Sequence, residues 1–349
     1  MVLRMQLMLL SPVEVAYLFL AFIVTFLICK LSLPCLMEKM RIRGIVGVDA
    51  HKLDKPLIPE MGGLSLILAF NGGILLSIIL FEDTDIRLKL IALLLSANLA
   101  GFVGVIDDLK TLGPKAKPLL TALSSIPLLA IYPLYPVFTP RPRLPIVGSV
   151  RLTYVYLFYV PTNMAVCSNT VNMLDVFNGA MPATTIIVFS SIAISSVILC
   201  SPVGFIVSIV MLGALAAYYP FNKYPAKVFS GDTGSLFVGS VIGGVAIIGG
   251  LEVVTVIALL PFIMNSFYYL ASVKRLVEGR SVKDRPTRLL DNGMLEASLS
   301  KEAPITLARM VLARGALREP EVVYGFTILT LYSGILAVVT ALLTFMSGA

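Results

Sequence analysis

Charged residues, histidine and cysteine are all scarce in this sequence. Only 13% of its 349 residues are charged, 58% are hydrophobic and the mean hydropathy is +0.94, a composition that excludes an ordinary soluble domain of this size. The four cysteines have no CxxC spacing, which argues against a zinc site or a disulfide framework. The formal charge of +7 is typical of cytoplasmic loops that face anionic lipid or anionic substrates, and we expect no nucleic-acid partner. The composition therefore predicts a polytopic membrane protein.

Long apolar segments recur along the chain, and about 20 residues suffice to cross a bilayer as a helix. They predict an all-α fold with about ten transmembrane helices, near residues 13–33, 62–80, 88–106, 118–136, 152–171, 182–200, 202–219, 231–250, 252–271 and 322–345. The first segment lacks the short apolar region and small-residue cleavage site of a signal peptide, so we expect it to be retained. No internal repeat or low-complexity linker is present. We therefore expect one integral membrane domain over 1–349, with a long cytoplasmic loop at 272–321.

The distribution of lysine and arginine predicts the orientation. Most of those outside the spans lie in the odd-numbered loops, which the positive-inside rule assigns to the cytoplasm, with both termini outside. Arg141, Arg143 and Arg151 go against this bias, because they lie in a loop on the other side. The polar motifs VDAHKLDKPLIPE, DDLKTLGPKAK, NMLDVFNG, FSGDTG and VKDRPTR all fall in odd-numbered loops. We therefore expect one polar site on the cytoplasmic face, of the cell membrane in a prokaryote or of the endoplasmic reticulum in a eukaryote.

Asp107 and Asp108 end the third apolar segment, and Lys117 follows soon after. Ionisable groups at such depth usually mark a functional site, although interfacial acids and a snorkelling lysine would give the same pattern. Two adjacent carboxylates resist joint ionisation unless a metal or a lysine neutralises them, and a lysine is a point charge suited to phosphate. The motif indicates a place where a divalent metal, phosphates and a proton acceptor meet.

Two further motifs carry oxygen donors. Asn172, Asp175 and Asn178 recur at i, i+3 and i+6, so on a helix they would share a face whose hard oxygens suit magnesium, with helix-end capping as the alternative. Asp232 lies beside the start of the eighth span, where a bound anion is favoured, although a simple N-cap has the same appearance. Phe229 could stack on a base or anchor at the membrane interface.

The last polar region is basic. Lys283, Arg285 and Arg288 could pair with phosphate or bind anionic lipid. Residues 305–317 predict a basic amphipathic helix lying in the interface. The chain has one histidine, His51, which we expect at the surface rather than as a general base.

The order and spacing of these motifs resemble those of the polyprenyl-phosphate N-acetylhexosamine-1-phosphate transferases, over about 43–299. GIVGVDAHKLDKPLIPE, CSNTVNMLDVFNG, YPAKVFSGDTG and RPTRLLDNGMLEAS are most similar to the archaeal and eukaryotic branch. The resemblance implies a Mg²⁺-dependent transferase that moves GlcNAc-1-phosphate from UDP-GlcNAc to dolichyl (polyprenyl) phosphate and releases UMP. This is the first membrane step of lipid-linked oligosaccharide synthesis for protein N-glycosylation. The resemblance also makes a homodimer in the lipid membrane plausible.

The resemblance implies catalytic and metal-binding roles for five residues. Asn172 and Asp232 correspond to the two magnesium ligands. Asp107 and Asp108 correspond to the catalytic acidic pair, and Lys117 to the lysine that contacts the pyrophosphate.

It also implies substrate contacts. Phe229 and Asn178 correspond to the aromatic residue that stacks on uracil and the amide that recognises it. Arg285 corresponds to an arginine near the sugar and phosphates, and Arg288 is a further candidate beside it. Glu60 corresponds to an acid in a loop near the substrate.

The sequence departs from the family pattern at several positions. Lys283-Asp284-Arg285 stands where the eukaryotic pattern has Arg-His-Arg, and the histidine-rich box of the bacterial muramyl-pentapeptide branch has no counterpart. Asp175, a further candidate substrate-binding residue, follows the bacterial pattern, whereas Asn178 follows the eukaryotic one. This mixture suits an archaeal-type enzyme.

Two alternative functions stay open, and a third is disfavoured. A transporter of an anionic lipid or nucleotide sugar would place its polar groups at mid-membrane, often between inverted repeats, whereas here the motifs share one face. A family member that uses a different UDP-HexNAc fits the same motifs. A CDP-alcohol phosphotransferase is disfavoured, because its DGxxAR-type signature is missing.

Overall fold

The computed structural model describes residues 11–273 and 284–348 and is predominantly helical, which confirms the all-α, polytopic membrane class. Its helices are α1 (Pro12–Ile42), α2 (Gly63–Leu80), α3 (Thr84–Leu109), α4 (Ala116–Leu123), α5 (Ile126–Ile131), α6 (Thr153–Leu174), α7 (Ala180–Ile198), α8 (Pro202–Asn222), α9 (Gly231–Gly249), α10 (Glu252–Ala258), α11 (Leu260–Val273), α12 (Leu307–Val311) and α13 (Glu319–Met346). Three antiparallel two-stranded ribbons join them: β1 (Val46–Val48) with β2 (Leu57–Pro59), β3 (Arg143–Leu144) with β4 (Gly148–Ser149), and β5 (Thr287–Leu289) with β6 (Leu295–Ala297).

Each predicted span contains helix, but the count of ten is not confirmed. Among the described residues, seven helices are long and apolar enough to cross a membrane, namely α1, α2, α3, α7, α8, α9 and α13. The count rises to eight if α10 and α11, which are bent by 66° at their junction, form one span. The fourth predicted span is split into α4 and α5, and residues 116–131 rise only about 24 Å as a helix, less than the roughly 30 Å of a hydrocarbon core.

Helix α9 is the centre of the bundle, with 89% of its membrane-length window buried. It packs against α3 and α6. A Cβ at Gly239 would lie 2.4 Å from the carbonyl oxygen of Cys167, so the close approach of α9 to α6 requires glycine there. The residues at the first turn of α9 are thereby fixed relative to the ends of two neighbouring helices.

The polar motifs meet at one end of the bundle. The chain before α2 pairs with the chain before α9, because Phe229 N donates to Pro59 O and Gly62 N donates to Phe229 O, both at 2.9 Å. At the opposite end, α7 ends at Ile198 and α8 begins at Pro202, as the Ser201-Pro202 dipeptide predicts. Proline suits the first turn of a helix, where its missing N–H costs nothing.

The polar region before α13 corrects one prediction. Instead of an amphipathic helix over 305–317, the structure has the short α12 and a 3-10 turn at Leu312–Arg314. Arg309 turns back into the loop and donates to the carbonyl oxygen of Ser300 at 2.9 Å and to that of Ala303. Part of the predicted loop at 272–321, including Lys283, lies outside the described residues. The single-domain organisation over 1–349 stays a prediction.

Candidate active site

Lys117 joins the ends of three helices. Its ammonium nitrogen lies 2.6 Å from Asp107 Oδ2, at the end of α3, and 2.8 Å from Asp232 Oδ2, in the first turn of α9. The Asp107 side chain is almost fully buried, and the side chains of Lys117 and Asp232 are only 14% and 16% exposed, respectively. These charges are therefore poorly screened by water. Lys117 therefore holds together two carboxylates that would otherwise repel each other.

Asn172 brings a fourth element to the same point. It lies in the last turn of α6, and its amide nitrogen donates to Asp232 Oδ1 and, at 2.8 Å, to Ser235 Oγ. Ser235 follows Asp232 by three residues on α9 and is a contact that the sequence did not predict. The two predicted magnesium ligands, Asn172 and Asp232, are thus in direct contact.

Asp108 caps α9 from a different helix. Its Oδ1 accepts from Asp232 N at 2.8 Å, and its Oδ2 accepts from Thr233 N at 3.0 Å and from Thr233 Oγ1 at 2.6 Å. The helix's own N-cap residue, Ser230, makes no side-chain cap. Gly231 permits this arrangement, because its φ is +68° and a Cβ there would lie 2.4 Å from Asp108 Oδ2. Asp108 thereby fixes the position of Asp232.

The carboxylate cluster, defined as Asp107, Asp108, Lys117, Asn172 and Asp232, carries more negative than positive charge. Three carboxylates against one ammonium leave a formal charge of −2. One further donor is present, since Asp107 Oδ1 accepts from a backbone N–H in the following loop at 2.6 Å. Carboxylate and amide oxygens are the ligands that hard divalent cations prefer. The donor set and the charge balance therefore fit a divalent cation.

Asp175 lies next to this cluster but not on the same helix face. Helix α6 ends at Leu174 and Asp175 is its C-cap residue, so the prediction that Asn172, Asp175 and Asn178 share one helical face is wrong. The Asp175 carboxylate accepts hydrogen bonds from the Ser230 side chain and from a backbone N–H at the start of α7. Burial nevertheless raises the pKa of Asp175 to about 7.

This pKa predicts a pH-dependent stability. Between about pH 4 and pH 7 the unfolded chain has lost the Asp175 proton while the folded chain still holds it, so rising pH destabilises the fold. The Asp175→Asn variant has no proton to lose at this position, so this pH-dependent loss of stability is absent. We expect the thermal midpoint of the variant, relative to that of the unchanged protein, to increase as pH rises from 5 to 7.5. A constant difference between the two proteins across that range would contradict the assignment.

A second polar group lies at the same end of the bundle. Asn178 Nδ2 donates to Asp49 Oδ2 at 2.9 Å, and Asn178 N donates to Glu319 Oε1 at 2.7 Å. Asp49, His51 and Glu319 offer ligand atoms within 4.8 Å of one another and could hold a metal ion. Lys52 already pairs with Asp49, so part of this negative charge is compensated.

His51 is not the surface residue that we expected. Its ring stacks on Phe177, with 4.6 Å between the ring centroids, and burial lowers the pKa of the imidazole. Asp49 and Glu319 were missed as members of a site. Asp49 lies in the motif VDAHKLDKPLIPE, in which only His51 and Glu60 were considered individually. Glu319 precedes an apolar run, where an acid is also expected simply because it stabilises a helix N-terminus.

Glu60 and Phe229 lie on adjoining backbone. The hydrogen bonds at Pro59 and Gly62 flank Glu60 and hold it beside Phe229. The Glu60 carboxylate lies over Gly47, where a Cβ would approach it to 2.1 Å. These two predicted substrate-binding residues are thus brought together.

The two arginines of the last loop have different surroundings. Arg285 is exposed and close enough to His51 to lower the pKa of the imidazole electrostatically. Arg288 pairs across the β5–β6 ribbon with Glu296 at 2.7 Å, and its side chain is 65% exposed. The structure therefore places Arg285 beside the second polar group, whereas Arg288 has a surface ion pair and is not brought to the carboxylate cluster.

Comparison with known proteins identifies a family for the segment that holds most of these residues. The family model described as Glycosyl transferase family 4 matches residues 90–250. This range includes the whole carboxylate cluster, together with Asp175, Asn178 and Phe229.

Similar proteins extend over most of the chain. A Saccharolobus solfataricus protein provisionally named UDP-N-acetylglucosamine–dolichyl-phosphate N-acetylglucosaminephosphotransferase is 28% identical over 86% of this chain and 89% of its own length. A Sulfolobus acidocaldarius protein with the same provisional name is 28% identical over 92% and 95%. The phospho-N-acetylmuramoyl-pentapeptide-transferase of Staphylococcus epidermidis is 28% identical over 77% and 88%. The chain is therefore similar to glycosyl transferase family 4 over residues 90–250, and to these archaeal and bacterial transferases over most of its length.

Proposed function

We propose that this protein transfers GlcNAc-1-phosphate from UDP-GlcNAc to dolichyl (polyprenyl) phosphate and releases UMP. One observation carries the proposal: four separate chain segments bring Asp107, Asp108, Lys117, Asn172 and Asp232 to one point. The provisional names of the archaeal relatives support the donor and the acceptor. The bacterial relative is named for a different phosphosugar, and the assay below therefore tests the donor directly.

In this proposal Lys117 binds a phosphate of the donor. An ammonium group has three N–H donors, and two of them face Asp107 and Asp232. The third is available to a diphosphate oxygen without breaking either contact. Because the lysine is held by two carboxylates, it meets the diphosphate in a fixed position and loses little side-chain entropy on binding.

Asn172 and Asp232 would hold Mg²⁺, which fits the formal charge of −2 in the cluster. When bound, the ion offsets the negative charge of the diphosphate. Asp108 has a positioning role, since it fixes the first turn of α9 and thereby the direction of the Asp232 side chain. The second polar group around Asp49, His51 and Glu319 is an alternative place for a metal, and the variants in the Discussion separate the two.

The transfer itself is proposed as a direct in-line displacement. An oxygen of the lipid phosphate forms a bond to the β-phosphorus of the donor, and the bond between that phosphorus and the bridging oxygen breaks. UMP leaves with the bridging oxygen and its electron pair. Asp107 orients the lipid phosphate, which is already a competent nucleophile, so no covalent aspartyl-phosphate is required.

The uridine is proposed to bind on the side of the cluster where Phe229 and Asn178 lie. Phe229 would stack on the uracil, and Asn178 would recognise its edge with the amide that now donates to Asp49. Glu60, Asp175, Arg285 and Arg288 remain proposed substrate-binding residues. Arg288 is the weakest of these, because its contact with Glu296 must break before it can reach a phosphate.

The proposed orientation is the one that the distribution of lysine and arginine predicts. The end of the bundle with the carboxylate cluster faces the cytoplasm, and both termini lie on the other side. A homodimer in the membrane is proposed on the resemblance alone.

Purified protein incubated with UDP-GlcNAc, Mg²⁺ and dolichyl phosphate is expected to form a lipid-linked sugar phosphate and UMP in equal amounts. Thin-layer separation of radiolabelled lipid and chromatography of UMP measure both products. A panel of UDP-HexNAc donors in the same assay identifies the sugar. If no donor were turned over and UDP-GlcNAc showed saturable uptake into proteoliposomes, the protein would be a transporter and the proposed transferase activity would be wrong.

A further inference from the structure

Arg141 and Arg143 are not explained by the transfer reaction. They lie in the loop that goes against the positive-inside rule, and the β3–β4 ribbon places them at the end of the bundle opposite the carboxylate cluster. Helix α9 connects the two ends and rises about 28 Å over its length. The positive-inside rule does not account for cations on this side of the membrane.

A cavity of about 500 Å³ lies at this end of the bundle. Lys89, Arg141 and Arg143 line it, together with the residues that connect α7 to α8, the first residues of α8 and the last residues of α9. Asp85 is the acid in this lining. The volume is within the range of small-ligand sites, and the cavity does not share a residue with the carboxylate cluster.

The charge of the lining is positive. Lys89 is paired with Asp85 at 2.6 Å, whereas neither arginine has an ion pair within the described part of the chain. Arg143 donates one hydrogen bond, to the carbonyl oxygen of Leu199 at 3.1 Å, which leaves other guanidinium N–H groups available. The buried Glu252 acts on Arg143 electrostatically but hydrogen-bonds to the Tyr156 hydroxyl instead.

The start of α8 adds to this positive potential. Ser201, Pro202 and Val203 line the cavity, so the N-terminus of a 21-residue helix opens into it. Ser201 does not cap this helix with its side chain and donates to Gly249 O at 2.8 Å instead. Uncapped N–H groups at a helix N-terminus favour a bound anion.

The remaining lining is apolar. Phe138, Val203, Ile247, Ile248 and Phe345 contribute to the wall, and Phe345 lies at the end of the membrane-spanning α13. An inorganic anion would make no use of such a wall. An amphiphile with a negatively charged head would use both parts of the cavity.

We propose that this cavity binds the phosphate headgroup of an anionic phospholipid from the adjacent leaflet, with Arg141 and Arg143 contacting the phosphate and the apolar wall contacting the start of an acyl chain. The bound lipid would neutralise arginines that otherwise lie on the unfavourable side of the membrane. This binding is independent of the proposed transfer reaction, because the two sites lie at opposite ends of α9.

The test uses the full chain in detergent, with phosphatidylglycerol, phosphatidylcholine and free glycerol phosphate as probes in native mass spectrometry. We expect phosphatidylglycerol to bind at least tenfold more tightly than either of the others. Arg141→Gln should weaken its binding about tenfold, the loss expected for one charge-assisted hydrogen bond. Because no hydrogen bond or ion pair of the Arg141 side chain is present among the described residues, this variant should fold normally. Adding Arg143→Gln should weaken binding further.

Arg151→Gln is the matched control. Arg151 lies near the same ribbon, is exposed, donates to Thr153 Oγ1 at 3.1 Å and does not line the cavity, so its variant should bind phosphatidylglycerol normally. Equal binding by the Arg141 and Arg151 variants would overturn the proposal, as would equal binding of phosphatidylcholine. Equally tight binding of glycerol phosphate would overturn the lipid as the ligand. Transfer activity should be unchanged in the Arg141 variant. A negative result for lipid binding would therefore not bear on the proposed transfer reaction, which the assay with UDP-GlcNAc and dolichyl phosphate tests separately.

Discussion

Asp232→Asn is expected to slow sugar-phosphate transfer by on the order of 10²-fold or more. Lys117 and Asn172 both contact the Asp232 side chain, so the carboxylate cluster converges on this residue. The substitution preserves size but removes one negative charge, which reduces the formal charge of the cluster from −2 to −1. The affinity for a divalent cation should fall with it. Initial rates of the purified variant, measured over a range of Mg²⁺ concentrations, should therefore show a higher half-saturating concentration as well as a lower maximum.

Asp291→Asn provides the matched control, because Asp291 is exposed in the turn of the β5–β6 ribbon and has no ion pair among the described residues. Its variant should have the unchanged rate and Mg²⁺ dependence. His51→Gln distinguishes the second polar group, whose three ligand residues include that histidine. If His51→Gln shifted the Mg²⁺ dependence and Asp232→Asn did not, the catalytic ion would belong to Asp49, His51 and Glu319, and the role given to Asp232 would be wrong.

Helix positions were largely predictable because they depend on local composition. Apolar length located the helices, and Ser201-Pro202 located a break that composition alone would have hidden within a continuous apolar run. The gathering of the polar motifs at one end also followed from the sequence. Consecutive antiparallel spans return the chain to the same end after every second crossing, so motifs in odd-numbered loops must lie on one face.

Contacts that depend on the termination of a helix were not predictable in the same way. The spacing of Asn172, Asp175 and Asn178 suggested one face, but α6 ends at Leu174 and Asn178 turns away to Asp49 and Glu319. A repeat of three residues does not reveal where the backbone leaves the helix. The different partners of Asp107 and Asp108 were not predictable either, because they depend on which distant helix each side chain meets. Asp108 caps α9, which begins more than 120 residues later in the chain, whereas its neighbour Asp107 contacts Lys117.

Lys117→Met is expected to abolish most transfer activity and to lower the thermal midpoint by several degrees. Methionine retains an unbranched apolar stem of similar length but has no charge. Asp107 and Asp232 would then face each other without the ammonium that separates them, and removing one partner of a buried ion pair leaves uncompensated charge that is costly. Lys115→Met is the matched control, because Lys115 is exposed two residues earlier and has no ion pair among the described residues. That variant should keep the unchanged activity and midpoint.

The double variant Asp107→Asn, Lys117→Met separates the structural role of the lysine from its proposed contact with the diphosphate. Removing one of the two repelling carboxylates should restore much of the thermal midpoint, because a carboxylate beside an amide is far less costly than two carboxylates together. Activity should stay low in any case, because Asp107 is itself assigned to the lipid phosphate, so binding of UDP-GlcNAc is the measurement that decides. The donor phosphate has still lost its cationic partner, and UDP-GlcNAc should bind more weakly in the double variant than in the control. Recovery of UDP-GlcNAc binding in parallel with stability would mean that Lys117 serves only to hold α3, α4 and α9 together, and the phosphate contact assigned to it would be wrong.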